Sequence, residues 1–535
     1  MMSKNFKFSQ VCLTVMLFTG SIATAGAAVT AQNIPGSKIN VSNNANGSQT
    51  VNINAPSANG ISHNKYSRFD VNENGLVLNN SQADSFTSVA GKVAGNRNLN
   101  KSGPARVILN EVTSSNASKL EGYLEVAGNK AHVIVANPNG ITCHGCGFIN
   151  TSRNTLTTGK PVFEGDELKG FSVEKGTITV DKWGWYGMMD NLSEYTDLIG
   201  RYVAINGNVH AKNLTVVAGR NDLVEITDTG VTTQNKIKDA QAENNVLIDV
   251  SALGGMYADK ITLVANDAGV GVRNSGLIVA NDTLNINAQG DISNNRYGQM
   301  ISHGDIVLKS ENQIVNKKNA YINADASLSV EAKDLVNSSS IGGSKATVNI
   351  NLEKTLRNDG GITGRNTTVN AGDLENNGTI SAYGGFPYGQ DLKNGNLTIN
   401  VDNHLVNKGN ITGTRDLTIS ANEITNSGQL YSANKINAEA ATSLTNEGII
   451  ASDRTMVLSA PVVNNSGKLK SFNSPYYESR VYAPSFRNSG ELDGNFKLID
   501  EVKPAGEIVY GTNPYDYDHD AFMNQFSQIS QFYRG

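Results

Sequence analysis

Two cysteines lie three positions apart in Cys143-His144-Gly145-Cys146, with an imidazole between them. Such a quartet can close a small disulfide ring, supply half of a zinc site, or act as a redox pair. A structural zinc takes about four ligands, and no second Cys-x-x-Cys or His-x-x-x-His stands elsewhere in the chain. A thioredoxin-like pair opens a helix in a βαβ unit, and no helical pattern follows Cys146. Outside the reducing cytoplasm a Cys143–Cys146 disulfide is favoured, with free thiols, and a metal or redox role, as the alternatives. Asp516-x-Asp518-x-Asp520 has calcium-loop spacing but lacks the glycine and the terminal glutamate of such a loop. His63 and His132 stand apart from any Ser or Cys that would complete a triad. Trp183-Gly184-Trp185-Tyr186 reads either as an aromatic patch for sugar or protein or as a hydrophobic hairpin packed on the rest. Carboxylates are scattered and mostly flank turns, whereas a glycan-cleaving site needs them convergent. No catalytic residue, metal site or cofactor is assigned, and no enzyme is expected.

The elements that carry these residues follow from composition. The 535 residues include 53 Gly, with 17% charged and 7% aromatic side chains. A few aromatic clusters cannot organise such a chain, so many small, similar layers must. The formal net charge of −5 and the lack of a basic block exclude nucleic acid as a partner. Lys4 and Lys7, the mostly apolar stretch Val11 to Ile22, and the small residues Ala23 to Ala28 read as a signal peptide over 1–28. The apolar stretch is shorter than the roughly 20 residues of a spanning helix. Cleavage near Ala27 or Ala28 would also remove Cys12.

A short alternating pattern recurs at about 20 residues, the period of a stacked repeat. Copies start at Leu284, Ile306, Leu328, Val348, Val369, Leu397, Leu417, Ile436 and Met456. Between them recurs Asn-x-Gly, with its asparagine at Asn376, Asn407, Asn426, Asn446, Asn465 and Asn488. Period-two alternation marks strands with one buried face, and Asn and Gly suit tight corners with left-handed backbone. A leucine-rich repeat would need a frame these copies lack. The expected fold is all-β, a parallel β-helix of roughly 25 turns and on the order of 100 Å, with asparagines stacked at equivalent corners. Open sheet edges invite aggregation, so a cap is expected over about Val29 to Asn80. Phe522, Phe526, Ile529 and Tyr533 have the spacing of a short terminal helix.

Four segments carry a resemblance: Asn59 to Tyr66 with Gly75 to Ser81, Val107 to Val112, Ala136 to Thr151, and Leu156 to Gly159. In order and spacing they resemble the secretion domain of two-partner secretion exoproteins, the filamentous hemagglutinins, cytolysins and contact-dependent inhibition stems. The resemblance implies a right-handed β-helix with an N-terminal cap, recognised by a dedicated outer-membrane β-barrel transporter. It implies export through the periplasm of a Gram-negative bacterium to the surface or the medium. It assigns transporter recognition to Asn137, Pro138, Asn139, Gly140 and Ile141, which match the family's NPNGI. Asn96, Asn98 and Leu99 match its NPNL, with Arg97 where the family has proline. From the residues alone, 137–141 reads first as a stable corner, since proline fixes φ and Asn139-Gly140 makes a tight turn; the resemblance sets a recognition role beside it, and the two are compatible.

The resulting division is 1–28 signal peptide, 29–280 secretion domain, 281–495 hemagglutinin-like repeats and 496–535 tail or cap. The leading functional expectation is an adhesin shaft that meets a host or neighbouring-cell receptor or glycan. The alternatives are the stem of a cytolysin or contact-inhibition protein, and a β-helix carbohydrate enzyme.

Overall fold

The computed structural model describes residues 28–185, 193–234, 246–384, 394–473 and 477–504. Residues 1–27 of the expected signal peptide, Tyr186 of the aromatic run, the Asp516–Asp520 spacing and the terminal helix pattern lie outside these residues. Apart from one 3₁₀ turn at Arg97–Leu99, the described regular structure is all strand.

Alternation dictates the layer. In strands such as Asp305–Ser310, Ser327–Ala332 and Thr347–Leu352, every second side chain is buried. Each strand pairs in parallel with its counterpart one turn on, Leu284 with Ile306, then Leu328, then Val348. Three such stacks enclose one core running from Val29 to Ala483. The first face runs from Ile61–Phe69 to Phe496–Ile499, the second from Ser118–Leu120 to Ser485–Asn488, and the third from Asn208–His210 to Glu491–Asp493. The parallel β-solenoid has about 16 turns, which at ~4.8 Å each gives on the order of 80 Å. The estimate of 25 turns is too high because the cap and a lateral sheet consume chain without adding rungs.

The N-terminal end is capped. Val29–Ala31 lies antiparallel on Ile61–Phe69, and Asn40–Asn43 lies antiparallel on Gln49–Asn52. Each covers an edge that would otherwise template another chain. Gln49–Asn52, Leu76–Asn80, Tyr123–Gly128 and Gly147–Ile149 form the third side of the early turns. The bridges Cys146–Trp185 and Trp185–Val209 continue that side toward the third face.

A lateral four-stranded antiparallel sheet was not anticipated. Lys160–Glu164, Glu167–Val173, Asn221–Thr227 and Gly230–Gln234 build it. It lies against the outside of the first face, where Phe171 joins Leu109, Ile134 and Ala136 in a second core. The contiguous apolar runs Val107-Ile108-Leu109 and Val133-Ile134-Val135-Ala136 are its signal, since a strand buried on both faces loses its alternation.

Asparagines form one ladder inside the second-face corner. The amide of Asn274 donates to Asn294 Oδ1 at 2.9 Å, and the chain of donations continues through Asn316, Asn337, Asn358, Asn376, Asn407, Asn426 and Asn446 to Asn465 and Asn488. The glycine two residues on is needed for a reason other than left-handed backbone: Gly378, Gly409, Gly428, Gly448 and Gly467 have no positive φ. A Cβ on Gly428 would sit 2.1 Å from Gly409 O, and one on Gly467 2.0 Å from Gly448 O. Successive corners approach too closely for any side chain.

The repeat frame needs one correction. Val348 pairs with Thr367, and Val369 pairs with Ile350. Thr367 fills the inward position because its hydroxyl donates to Ser381 O at 2.9 Å, so a polar side chain is tolerated where an apolar one was expected.

Candidate functional site

Asn137-Pro138-Asn139-Gly140 turns the corner between Ala131–Ala136 on the first face and Ile141–Cys143 on the second. Asn137 is fully buried. Its amide donates to Asn116 O and Ser118 Oγ, both at 2.9 Å. Its Oδ1 accepts the Asn139 backbone N–H at 3.0 Å, and its carbonyl accepts the Gly140 N–H at 3.1 Å. Asn139 donates from its side chain to Ser114 O at 2.7 Å. Lys175 Nζ reaches Asn139 Oδ1 at 3.3 Å. Gly140 has φ +113°, a conformation that penalises a side chain, and a Cβ there would lie 3.1 Å from Thr177 O. Ile141 is buried in the core between Ser118 and Ile178.

Asn96-Arg97-Asn98-Leu99 uses the same device at the cap. Asn96 is buried, donates to Ile53 O and Asn79 O at 3.0 Å each, and accepts the Asn98 N–H at 3.0 Å. Asn98 donates to Lys38 O at 2.9 Å and Ile53 O at 3.0 Å. Leu99 is buried in the core. Arg97 in place of proline does not prevent the turn, because the asparagine bonds hold it. The two motifs are therefore separate corners, each tying a later turn to an earlier one. In the folded protein the side chains of Asn96 and Asn137 are spent on backbone and hydroxyl partners.

Cys143 and Cys146 flank the next corner, with their sulfurs joined, Cα atoms 5.2 Å apart and both residues buried. His144 between them pairs with Asp181. The tryptophan pair divides its roles. Trp185 is buried and stacks on Phe148 at 5.1 Å. Trp183 is exposed and tilts against His144 at 5.8 Å.

A buried polar network went unread in the sequence. Arg153 forms a two-point ion pair with Asp197 at 2.6 and 2.9 Å beneath the lateral sheet, and also donates to Gly230 O at 2.9 Å. Thr155 donates its only hydroxyl proton to Asp197 at 2.8 Å, so the His132 Nε2 at 2.9 Å must donate to Thr155. Burial, reinforced by the Arg153 charge, pushes His132 down to about 3. His132 is thus neutral and holds the lateral sheet's anchor in place. Elsewhere, outward carboxylates pair across rungs: Asp249 with Arg273, Glu331 with Lys309, Glu375 with Lys408. Among the described residues, no cluster of three His, Cys, Asp or Glu could hold a metal ion.

Residues 21–294 match the family model of the TPS secretion domain. The chain belongs to the two-partner secretion family. It is similar to a toxin CdiA of Yersinia pestis, 41% identical over 295 residues, which span 55% of this chain and 8% of the relative. It is also similar to a 16S rRNA endonuclease CdiA of Enterobacter cloacae subsp. cloacae, 33% identical over 488 residues, 79% of this chain and 14% of the relative. The chain thus spans only a small part of the length of the curated relatives it matches. Among solved structures, the filamentous hemagglutinin secretion domain is 29% identical, with 65% of this chain and 97% of that chain covered and a TM-score of 0.42. Two-partner secretion exoproteins are exported to the surface or secreted by Gram-negative bacteria, and the domain implies a cognate outer-membrane transporter.

Proposed function

We propose that this chain is an exported binding shaft of the adhesin type: a capped secretion domain over 29–280, a stem over 281–495 and a tail over 496–535. The observation that carries the reading is continuity. Secretion domain and stem share one hydrogen-bonded stack and one core, so each segment leaving a transporter finds its pairing edge already formed. In this reading Asn137 to Ile141, with Asn96, Asn98 and Leu99, are read by the transporter before folding buries them. The Cys143–Cys146 bridge is formed in the exported protein; its short ring adds almost no width to a chain threading a pore. The shaft acts by presenting surface to a host or neighbouring cell, and its outward carboxylates serve rung-to-rung ion pairs rather than catalysis.

A second reading, the stem of a contact-dependent inhibition protein, is favoured by the relatives' names, toxin CdiA and 16S rRNA endonuclease CdiA. The test compares cells making the full-length product with cells lacking it, in adherence to host cells and in survival of co-cultured neighbours. Adherence without killing supports the adhesin; contact-dependent loss of neighbours supports the stem. Neither effect contradicts both.

A further inference from the structure

The third face is free of formal charge at its outward strand positions over eleven consecutive rungs, the first three in the secretion domain and the rest in the stem. Its outward positions form two straight columns, Asn208 to Ile449 and His210 to Ala451, aligned strand by strand. None of these twenty-two positions holds Asp, Glu, Lys or Arg. On the second face the same turns carry Asp249, Arg273, Asp334, Arg357, Asp373 and Glu375. Charge returns to the third face at Lys468 and Lys470, followed by Glu491 and Asp493. Burial holds His210 below its ordinary value, which favours its neutral form.

What stands in place of charge is ordered. Leu277, Val279, Ile301 and Tyr321 make one end apolar, with Tyr321 40% exposed. His210 and Tyr257 stack at 4.8 Å and 9° beside them. The middle is hydroxyl and glycine: Ser340, Gly361, Thr363, Thr379 and Ser381, with Thr363 Oγ1 and Ser381 Oγ 3.0 Å apart. Asn410, Thr412, Gln429 and Tyr431 follow.

We propose that this face docks a neutral polysaccharide lying along the shaft axis. Amide and hydroxyl side chains both donate and accept, which matches sugar hydroxyls, and none of the twenty-two outward positions carries a formal charge to desolvate. Tyr321 offers an apolar body with a polar tip to sugar rings, whereas the Tyr431 hydroxyl already donates to Asp453 at 2.6 Å. Outward groups repeat every ~4.8 Å over about 50 Å, a grid comparable to successive sugars of an extended chain. None of the twenty-two outward positions offers a cation to an acidic glycan. A second copy of the chain would gain little, because the hydroxyl-and-glycine middle has no apolar side chains to interdigitate. The proposal is independent of the adhesin reading: it concerns what the face binds, not what binding does for the cell.

The full exported chain is tested for retention by immobilised dextran, galactomannan and β-1,3-glucan, with heparin as the charged comparison. Thr363→Lys and Thr412→Lys place charge on the face, and Val336→Lys places it on the second face; melting confirms that each folds. The expected result is salt-insensitive retention by at least one neutral polymer, weakened about tenfold or more by either threonine variant and unchanged by Val336→Lys. No retention by any of the three, equal loss in Val336→Lys, or preference for heparin overturns the proposal. So does a concentration-dependent dimer abolished by Thr363→Lys, which would assign the face to a second copy.

Discussion

Replacing Asn137 by alanine separates a corner from a signal. The variant loses donations to Asn116 O and Ser118 Oγ and the acceptor for the Asn139 N–H. At about 1 kcal/mol per net hydrogen bond, more where a buried partner is left unsatisfied, the cost is about 2–4 kcal/mol. Asn139→Ala chiefly loses the 2.7 Å bond to Ser114 O at a half-buried position, about 1 kcal/mol. A matched control lies in the ladder. Asn358 donates to Asn376 Oδ1 at 2.7 Å and Thr379 O at 3.1 Å and accepts from Asn337 at 2.8 Å, so Asn358→Ala costs a similar 2–4 kcal/mol by the same count, about one bond's worth each. Solenoid turns unfold with their neighbours rather than all at once, so stability is read by denaturant unfolding of purified, refolded protein. Export is read as the fraction released or surface-exposed. If 137–141 is read by the transporter, Asn137→Ala and Asn139→Ala lose far more export than Asn358→Ala. Equal export loss from Asn358→Ala and Asn137→Ala would refute the recognition role and leave a corner alone.

Further outcomes follow from the same geometry. Gly428→Ala should cost about 1–3 kcal/mol or more, because its Cβ meets Gly409 O, while Gly361→Ala, with open space around it, should stay within about 0.5 kcal/mol; thermal unfolding compares them. His132 has a folded value near 3 against an ordinary 6.5, so the unfolded chain binds more protons between them and stability falls as pH drops through that window. Because His132 retains partial exposure, the loss at pH 5 should be about 1–2 kcal/mol, and His132→Gln should flatten this part of the stability–pH curve. Mass spectrometry of exported protein should show Cys143 and Cys146 resistant to alkylation until reduced, and their reduction should cost less than the typical 2–4 kcal/mol because the ring is short.

Local pattern was the legible part of this chain. Alternation in segments such as Leu397-Thr398-Ile399-Asn400-Val401 declares a half-buried strand, and the spacing of Asn-x-Gly declares a repeated corner. What each corner needs was less legible. A glycine required by a carbonyl one turn below looks, in sequence, like a glycine chosen for its left-handed backbone. Thr367 slipped the frame because a satisfied hydroxyl can replace a methyl in the core. The lateral sheet escaped because its partners are remote: Phe171 meets Leu109 and Ile134, and only the loss of alternation in those strands hinted at a second buried side. Both Asn-x-Asn motifs were visible as motifs, yet their common geometry emerged only once Asn96 and Asn137 were seen bonding an earlier turn. Trp183-Gly184-Trp185 could not be assigned to surface or core because the two rings go to different places.

The most direct test of the account is export with and without the cognate outer-membrane transporter. The full-length chain is produced in a Gram-negative host with the transporter, without it, and with an unrelated outer-membrane barrel. The account predicts folded, protease-resistant shaft at the surface or in the medium only when the cognate transporter is present, with periplasmic retention or degradation otherwise. Equal release in all three strains would contradict it.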